Sequence, residues 1–236
     1  MLPKIVAVIG PTASGKTDLG AFLCRRFGGE IVSADAKQVY RGMDIGTAKE
    51  VGLDVPQHLI DVLDPGEKVT VGWYQARAYE TIDRLLAEGK LPVLVGGSGL
   101  YAESVLKGYL FGGSGEKKSQ PRYQSLKVGI DISREELKRR ALERVEKRAQ
   151  AGLIEEVQGL LDRGVDPEWL WDCGIEYRYF SGYLRGLFTL EEAKQKTATA
   201  TYQFIKRQYT WWRRHDDILW VKTPEEAGEA VRSFLG

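Results

Sequence analysis

Lys4-Ile5-Val6-Ala7-Val8-Ile9-Gly10-Pro11-Thr12-Ala13-Ser14-Gly15-Lys16-Thr17 is the stretch from which the rest of the chain is read. From Ile5 to Ile9 every side chain is apolar, without alternation, as in a strand buried on both faces of a parallel sheet. The eight residues Gly10, Pro11, Thr12, Ala13, Ser14, Gly15, Lys16 and Thr17 fit G-x-x-x-x-G-K-[ST], with strand, glycine-rich turn and helix start in the required order. The glycines let successive backbone N–H groups turn inward around an anion, and the helix start adds partial positive charge. Lys16 supplies a point charge, and the Thr17 hydroxyl is a ligand for Mg²⁺. Such a loop marks a diphosphate or polyphosphate site without selecting ATP.

Outward from the loop, a helix is expected from Lys16 to about Phe27, closed by Gly28-Gly29, with Glu30–Ser33 as the next strand. A helix over Trp73–Glu88 ends at Gly89, and Pro92–Gly97 reads as another buried strand. This alternation predicts an α/β fold: a P-loop, doubly wound, mainly parallel sheet. Gly112–Pro121 has no apolar spacing and reads as a mobile loop or linker. Leu126–Ile132 is one more strand, followed by Ser133 as N-cap with Glu136 as capping-box partner. Helices over about 134–150, 153–163, 172–185 and 189–214 make a helical C-terminal lobe. Ile218–Val221 is a final strand, and Pro224 opens a last short helix. The division expected is an α/β core at 1–110, a short linker at 111–125, and a strand-plus-helical part at 126–236 that completes the core.

The 236 residues, 43% hydrophobic and 28% charged, suit one α/β domain with an extra lobe and exclude disordered and fibrous classes. No apolar run approaches the ~20 residues of a membrane span. Met1-Leu2-Pro3-Lys4 runs into the first strand without signal-peptide architecture, and Cys24 and Cys173 have no framework or metal spacing. A reduced, cytoplasmic protein is expected. The net charge of +1 conceals an asymmetry: residues 1–115 balance to −1, residues 116–214 to +5, and the tail from 215 to −3. On the 197–214 helix, Tyr202, Ile205, Tyr209 and Trp212 share a stripe that reads as core. Lys206 and Arg213 form one line and Arg207 and Arg214 another, with no acidic residue between, a strip suited to a phosphate backbone. Trp211 reads as packing. Asp35, just past a strand end, is placed to hold a metal in an NTPase or kinase. On the residues alone, the choice among phosphate chemistries stays open.

Five motifs narrow it. Gly10–Thr17 and Ser33-Ala34-Asp35-Ala36-Lys37-Gln38-Val39-Tyr40-Arg41-Gly42-Met43-Asp44-Ile45-Gly46-Thr47-Ala48-Lys49 are followed in order by Pro56–Pro65 and Val95-Gly96-Gly97-Ser98-Gly99-Leu100-Tyr101, and Lys206-Arg207-Gln208-Tyr209-Thr210-Trp211 fits K-R-Q-x-T-W. In these the chain resembles the tRNA dimethylallyltransferase (tRNA isopentenyltransferase) family. The resemblance implies transfer of a dimethylallyl group from dimethylallyl diphosphate to the exocyclic amine of the adenosine 3′-adjacent to the anticodon, with Mg²⁺ as cofactor. It implies Asp35 as the base, Lys16 and Arg140 on the diphosphate, and Ser98 where the family has threonine. Asp35, Ala36, Lys37, Gln38 and Ser98 would face the tRNA anticodon stem-loop, Gln38 reading the adenine edge through its amide, and Lys206, Arg207 and Arg214 would hold its phosphates. A monomer acting off the membrane is expected. Two departures stand out: the helical insertion of several tens of residues after G-G-[TS]-G-L-Y is replaced by 111–125, and G-Y-R-Q appears as Gly174-Ile175-Glu176-Tyr177-Arg178-Tyr179. Two other readings are an adenylate isopentenyltransferase acting on free nucleotide and a P-loop NTPase or RNA-binding module without prenyl transfer.

Overall fold

The computed structural model describes residues 2–50, 52–111 and 119–236. The expected linker therefore lies partly outside the described residues, at 112–118.

The opening stretch forms β1 (Lys4–Ile9), the loop, and α1 (Lys16–Phe27). β1 lies inside a sheet of order β3-β2-β4-β1-β5-β6, with β2 at Gly29–Ser33, β3 at Gln57–His58, β4 at Leu91–Gly96, β5 at Gln124–Ile130 and β6 at Ile218–Val221. Every pairing is parallel; Val6 stands beside Val93 on one side and Leu126 on the other. Ile5, Ala7 and Ile9 enter one core with α2 (Val71–Ala87) and α3 (Gly99–Lys107), whereas Val6 and Val8 enter another with α1 and α9 (Pro224–Leu235). Both faces of β1 are covered, which explains its unbroken apolar run.

The second half of the chain supplies β5 and β6 to this same sheet, and then the helices α4 (Arg134–Gln150), α5 (Leu153–Asp162), α6 (Pro167–Cys173), α7 (Ile175–Leu184) and α8 (Leu190–Trp212). Leu153, Val157, Leu160, Leu170, Tyr177 and Phe180 form a third core with Val39, Tyr40, Met43 and Leu63, so the lobe packs on the loops that follow β2 and β3. Ile132, Leu137, Ala141 and Ile205 join α4 to α8.

Several local expectations are corrected. The helix expected over 172–185 is two helices, because Gly174 adopts an extended conformation between them (φ −164°, ψ 162°), and the first begins at Pro167 behind the Asp166 cap. The short α3 and β3 carry too little periodicity to be read in advance. Ser133 caps α4 by accepting the Glu136 N–H, but the Glu136 carboxylate does not return to the cap; it pairs with Arg139 and Arg140. The buried line of α8 runs through Thr197, Thr201, Ile205, Gln208 and Trp212, with Tyr202 and Tyr209 only half-buried at its edge.

Candidate active site

The loop after β1 is a cradle in which backbone geometry does what the motif requires. Gly10 and Gly15 sit at φ 144° and 91°, and Ala13 is held at φ 67°, a left-handed conformation that costs a non-glycine residue roughly 1–3 kcal/mol. Gly15 caps α1 without a side chain, so the first N–H groups of the helix are left for an anion. The Ser14 hydroxyl is buried in the loop with no hydrogen-bond partner among the described residues, which fits a group awaiting an acceptor oxygen.

The cradle opens into a cavity of about 820 Å³ whose walls include Asp35–Gln38 after β2, Gly46–Ala48, Gly96–Ser98 after β4, the inner face of α4, Cys173–Arg178 at the α6–α7 break, and part of α8. Lys16 lies on its floor, Nζ donating to the Pro11 carbonyl at 2.7 Å. Burial pulls the ammonium down to about 8, opposed by the Asp35 charge and reinforced by Arg144. Asp35 accepts the Lys37 N–H at 2.8 Å through Oδ1, and Oδ2 makes no hydrogen bond among the described residues. Ser98 Oγ accepts the Ala36 N–H at 3.4 Å, tying the Asp35 turn to the end of β4. A Cβ at Gly97 would lie 2.8 Å from Gln208 Nε2 and 3.1 Å from the Gly10 carbonyl, so a larger residue there would displace the Gln208 amide.

Arg140, Arg144 and Arg148 recur every four residues on α4 and all line the cavity. Arg140, at the mouth, pairs with Glu136 at 2.7 Å and brings Nη1 to 3.5 Å from the Ala13 carbonyl. Arg144 is deeper: burial and the neighbouring Arg148 pull its guanidinium down to about 10, while Glu176 and Asp35 oppose the shift. Arg148 forms a buried ion pair with Glu176. Among the described residues no cluster of three or more His, Cys, Asp or Glu side chains could hold a metal. Thr17 lines the cavity as a single hydroxyl donor, a set that suits Mg²⁺ carried mainly by substrate phosphates and water.

The IPP transferase family model matches residues 38–115 and 111–215. A tRNA dimethylallyltransferase from Geotalea daltonii is 38% identical, the match covering 100% of this chain and 95% of that protein. One from Pelotomaculum thermopropionicum is 33% identical, covering 92% and 90%. A tRNA isopentenylpyrophosphate transferase crystal structure from Bacillus halodurans superposes with a TM-score of 0.87 at 30% identity, covering 98% of this chain and 95% of that one. The chain belongs to the IPP transferase family. The alignments to the two relatives extend over 295 and 283 positions, more than the 236 residues of the chain, and the two family matches meet at 111–115. This IPP transferase is thus shorter than those relatives.

In this IPP transferase Gln38 lies beside Asp35, but its amide is engaged: Oε1 accepts from Ser33 Oγ at 2.9 Å, and Nε2 donates to the carbonyls of Thr47 and Ala48, each at 3.3 Å. Reading a base edge would require exchanging these bonds. Lys37 lines the cavity next to Asp35. Arg207 lines both the cavity and an outer groove, which it shares with Lys206 and Arg214. Arg213 is turned away from that groove, paired with Asp131 and stacked 4.1 Å from the centre of the Trp220 ring.

Two positioning groups escape a reading of the sequence. Gln208 bridges the site, Oε1 accepting the Thr12 N–H at 2.8 Å and Nε2 donating to the Gly97 carbonyl at 2.9 Å. In the sequence it is marked as the Q of K-R-Q-x-T-W and as a polar residue on the apolar side of a helix, but neither sign gives its bridging role. Glu156 accepts the N–H groups of Asp44, Ile45 and Gly46 at 2.7, 2.7 and 3.1 Å and the Tyr177 hydroxyl at 2.7 Å, clamping a wall of the cavity to the lobe. Nothing local in the sequence marks it among the exposed glutamates.

Proposed function

We propose that this IPP transferase moves a dimethylallyl group from dimethylallyl diphosphate to the exocyclic amine of the adenosine 3′-adjacent to the anticodon in tRNA, acting as a cytoplasmic monomer. The observation that carries the reading is the cavity in which a diphosphate cradle, Lys16 and Asp35 meet. The amine nitrogen attacks C1 of the donor; the C–N bond forms as the C1–O bond breaks, and diphosphate leaves. Asp35, whose Oδ2 makes no hydrogen bond among the described residues, takes the proton that the amine loses. The Gly10–Thr17 backbone, Lys16, Arg140 and Arg144 hold the charge that develops on the departing diphosphate. The Thr17 hydroxyl, with phosphate oxygens and water, would hold Mg²⁺, which neutralises charge on the leaving group when bound. Ser98, Ala36, Lys37 and Gln38 line the side from which the base enters, and Lys206, Arg207 and Arg214 hold phosphates outside. Residues 1–110 and the β5–β6 part act as one sheet beneath this site, and the helical lobe closes it.

The basic groove favours RNA over free nucleotide as acceptor. A mass-spectrometric assay that offers an anticodon stem-loop, AMP and dimethylallyl diphosphate together should give prenylated RNA. Prenyl-AMP as the main product would assign a free-nucleotide enzyme, and absence of both products would return the chain to the P-loop NTPases.

A further inference from the structure

Outside the cavity, a groove of about 350 Å³ runs along α8, lined by Gln203, Lys206, Arg207, Thr210, Trp211 and Arg214. It contains three cations and no carboxylate, and none of the three makes an ion pair among the described residues, in contrast to Arg213 next in line. Trp211 is the unusual member. Its neighbour Trp212 is 1% exposed, whereas Trp211 is 41% exposed, an indole left in water among cations. One edge of the ring packs against Gly99, where a Cβ would collide with the indole Nε1. Gly99 directly follows Ser98, which holds the turn carrying Asp35. Because Arg207 lines both hollows, the groove continues the reaction cavity.

An exposed aromatic ring flanked by cations is how single-stranded nucleic acid is held, a base stacking on the ring while the cations follow the backbone. An adenosine drawn into the cavity also leaves its neighbour without a stacking partner on that side. We infer that the Trp211 indole takes the vacated place, stacking on the unpaired base adjoining the target adenosine, with Lys206 and Arg214 on the phosphates around it. The inference rests on the RNA reading proposed above and deepens it.

The test uses two anticodon stem-loops with 2-aminopurine placed 5′ or 3′ of the target adenosine, titrated without prenyl donor so that binding is read independently of transfer. The fluorescence of one probe should be quenched on binding the wild type. The quench should disappear in Trp211→Ala and persist in Trp211→Phe. Stem-loop affinity should fall roughly ten- to hundred-fold in Trp211→Ala, with most of it regained in Trp211→Phe. Stem-loop binding to the wild type with neither probe quenched, or a quench that survives in Trp211→Ala, would overturn the stacking assignment alone. Failure of both RNAs to bind the wild type would overturn the RNA reading beneath it.

Discussion

Lys16 carries the sharpest residue-scale consequence. Its ammonium, drawn down to about 8 by burial, is charged at neutral pH and loses its proton as pH rises through that value. A bound diphosphate favours the charged form, so donor affinity should be flat below the transition and fall above it, by up to about tenfold per pH unit. Calorimetric titration of a non-transferable donor analogue should show this fall in the wild type, and Lys16→Arg should remove it, since a guanidinium stays charged. Asp35 makes a different prediction. Asp35→Asn keeps the hydrogen bond from the Lys37 N–H and removes the base, so kcat should drop roughly 10²–10⁴-fold while donor affinity barely changes. Donor affinity falling with kcat would reassign Asp35 to the diphosphate or its metal.

Among the elements, α8 does two jobs on two faces. Gln208 grips the phosphate loop and the Gly97 carbonyl from its buried side, and Lys206, Arg207 and Trp211, with Arg214 just past the helix end, line the groove on its outer side. Removing cations from the outer side should change RNA binding through released counterions. Arg207→Ala with Arg214→Ala should flatten the plot of log affinity against log salt by roughly 0.7–0.9 for each phosphate that the variant no longer neutralises. An unchanged slope in a stem-loop titration across salt would take these arginines off the RNA. The helical periodicity of α8 is enough to foretell its basic strip, but Gln208 is invisible as a strut because its two partners are separated from it by 196 and 111 residues.

At the scale of the whole molecule, two helices of the lobe are held together by a buried ion pair at the wall of the cavity. The Arg148–Glu176 pair links α4 to α7 with side chains only 8% and 12% exposed. Glu176→Ala leaves Arg148 buried without a counter-charge, and urea unfolding should report a loss of about 3–5 kcal/mol. Replacing both partners, as Arg148→Met with Glu176→Leu, should recover most of that loss, because no uncompensated charge remains. A single mutant as stable as the wild type would mean that water reaches Arg148 freely. The helix break at Gly174 serves the same junction, turning the chain so that Cys173–Arg178 forms a wall of the cavity.

The sequence by itself determined the parts whose physics is local or periodic. The unbroken apolar run of β1 required a sheet covered on both faces, the glycines of Gly10–Thr17 required an inward-turned backbone, and the Ser133 cap set the start of α4. The ordered motifs identified the family because each constrains spacing as well as residue type. Tertiary structure decided what depends on distance through space rather than along the chain. It placed Arg144 deep beside Lys16 with Arg140 at the mouth, engaged the Gln38 amide on backbone carbonyls, withdrew Arg213 to Asp131, and left Trp211 exposed while burying Trp212. Hydrogen bonding and desolvation act over a few ångströms, and only folding brings α4, α7 and α8 within that range of the phosphate loop.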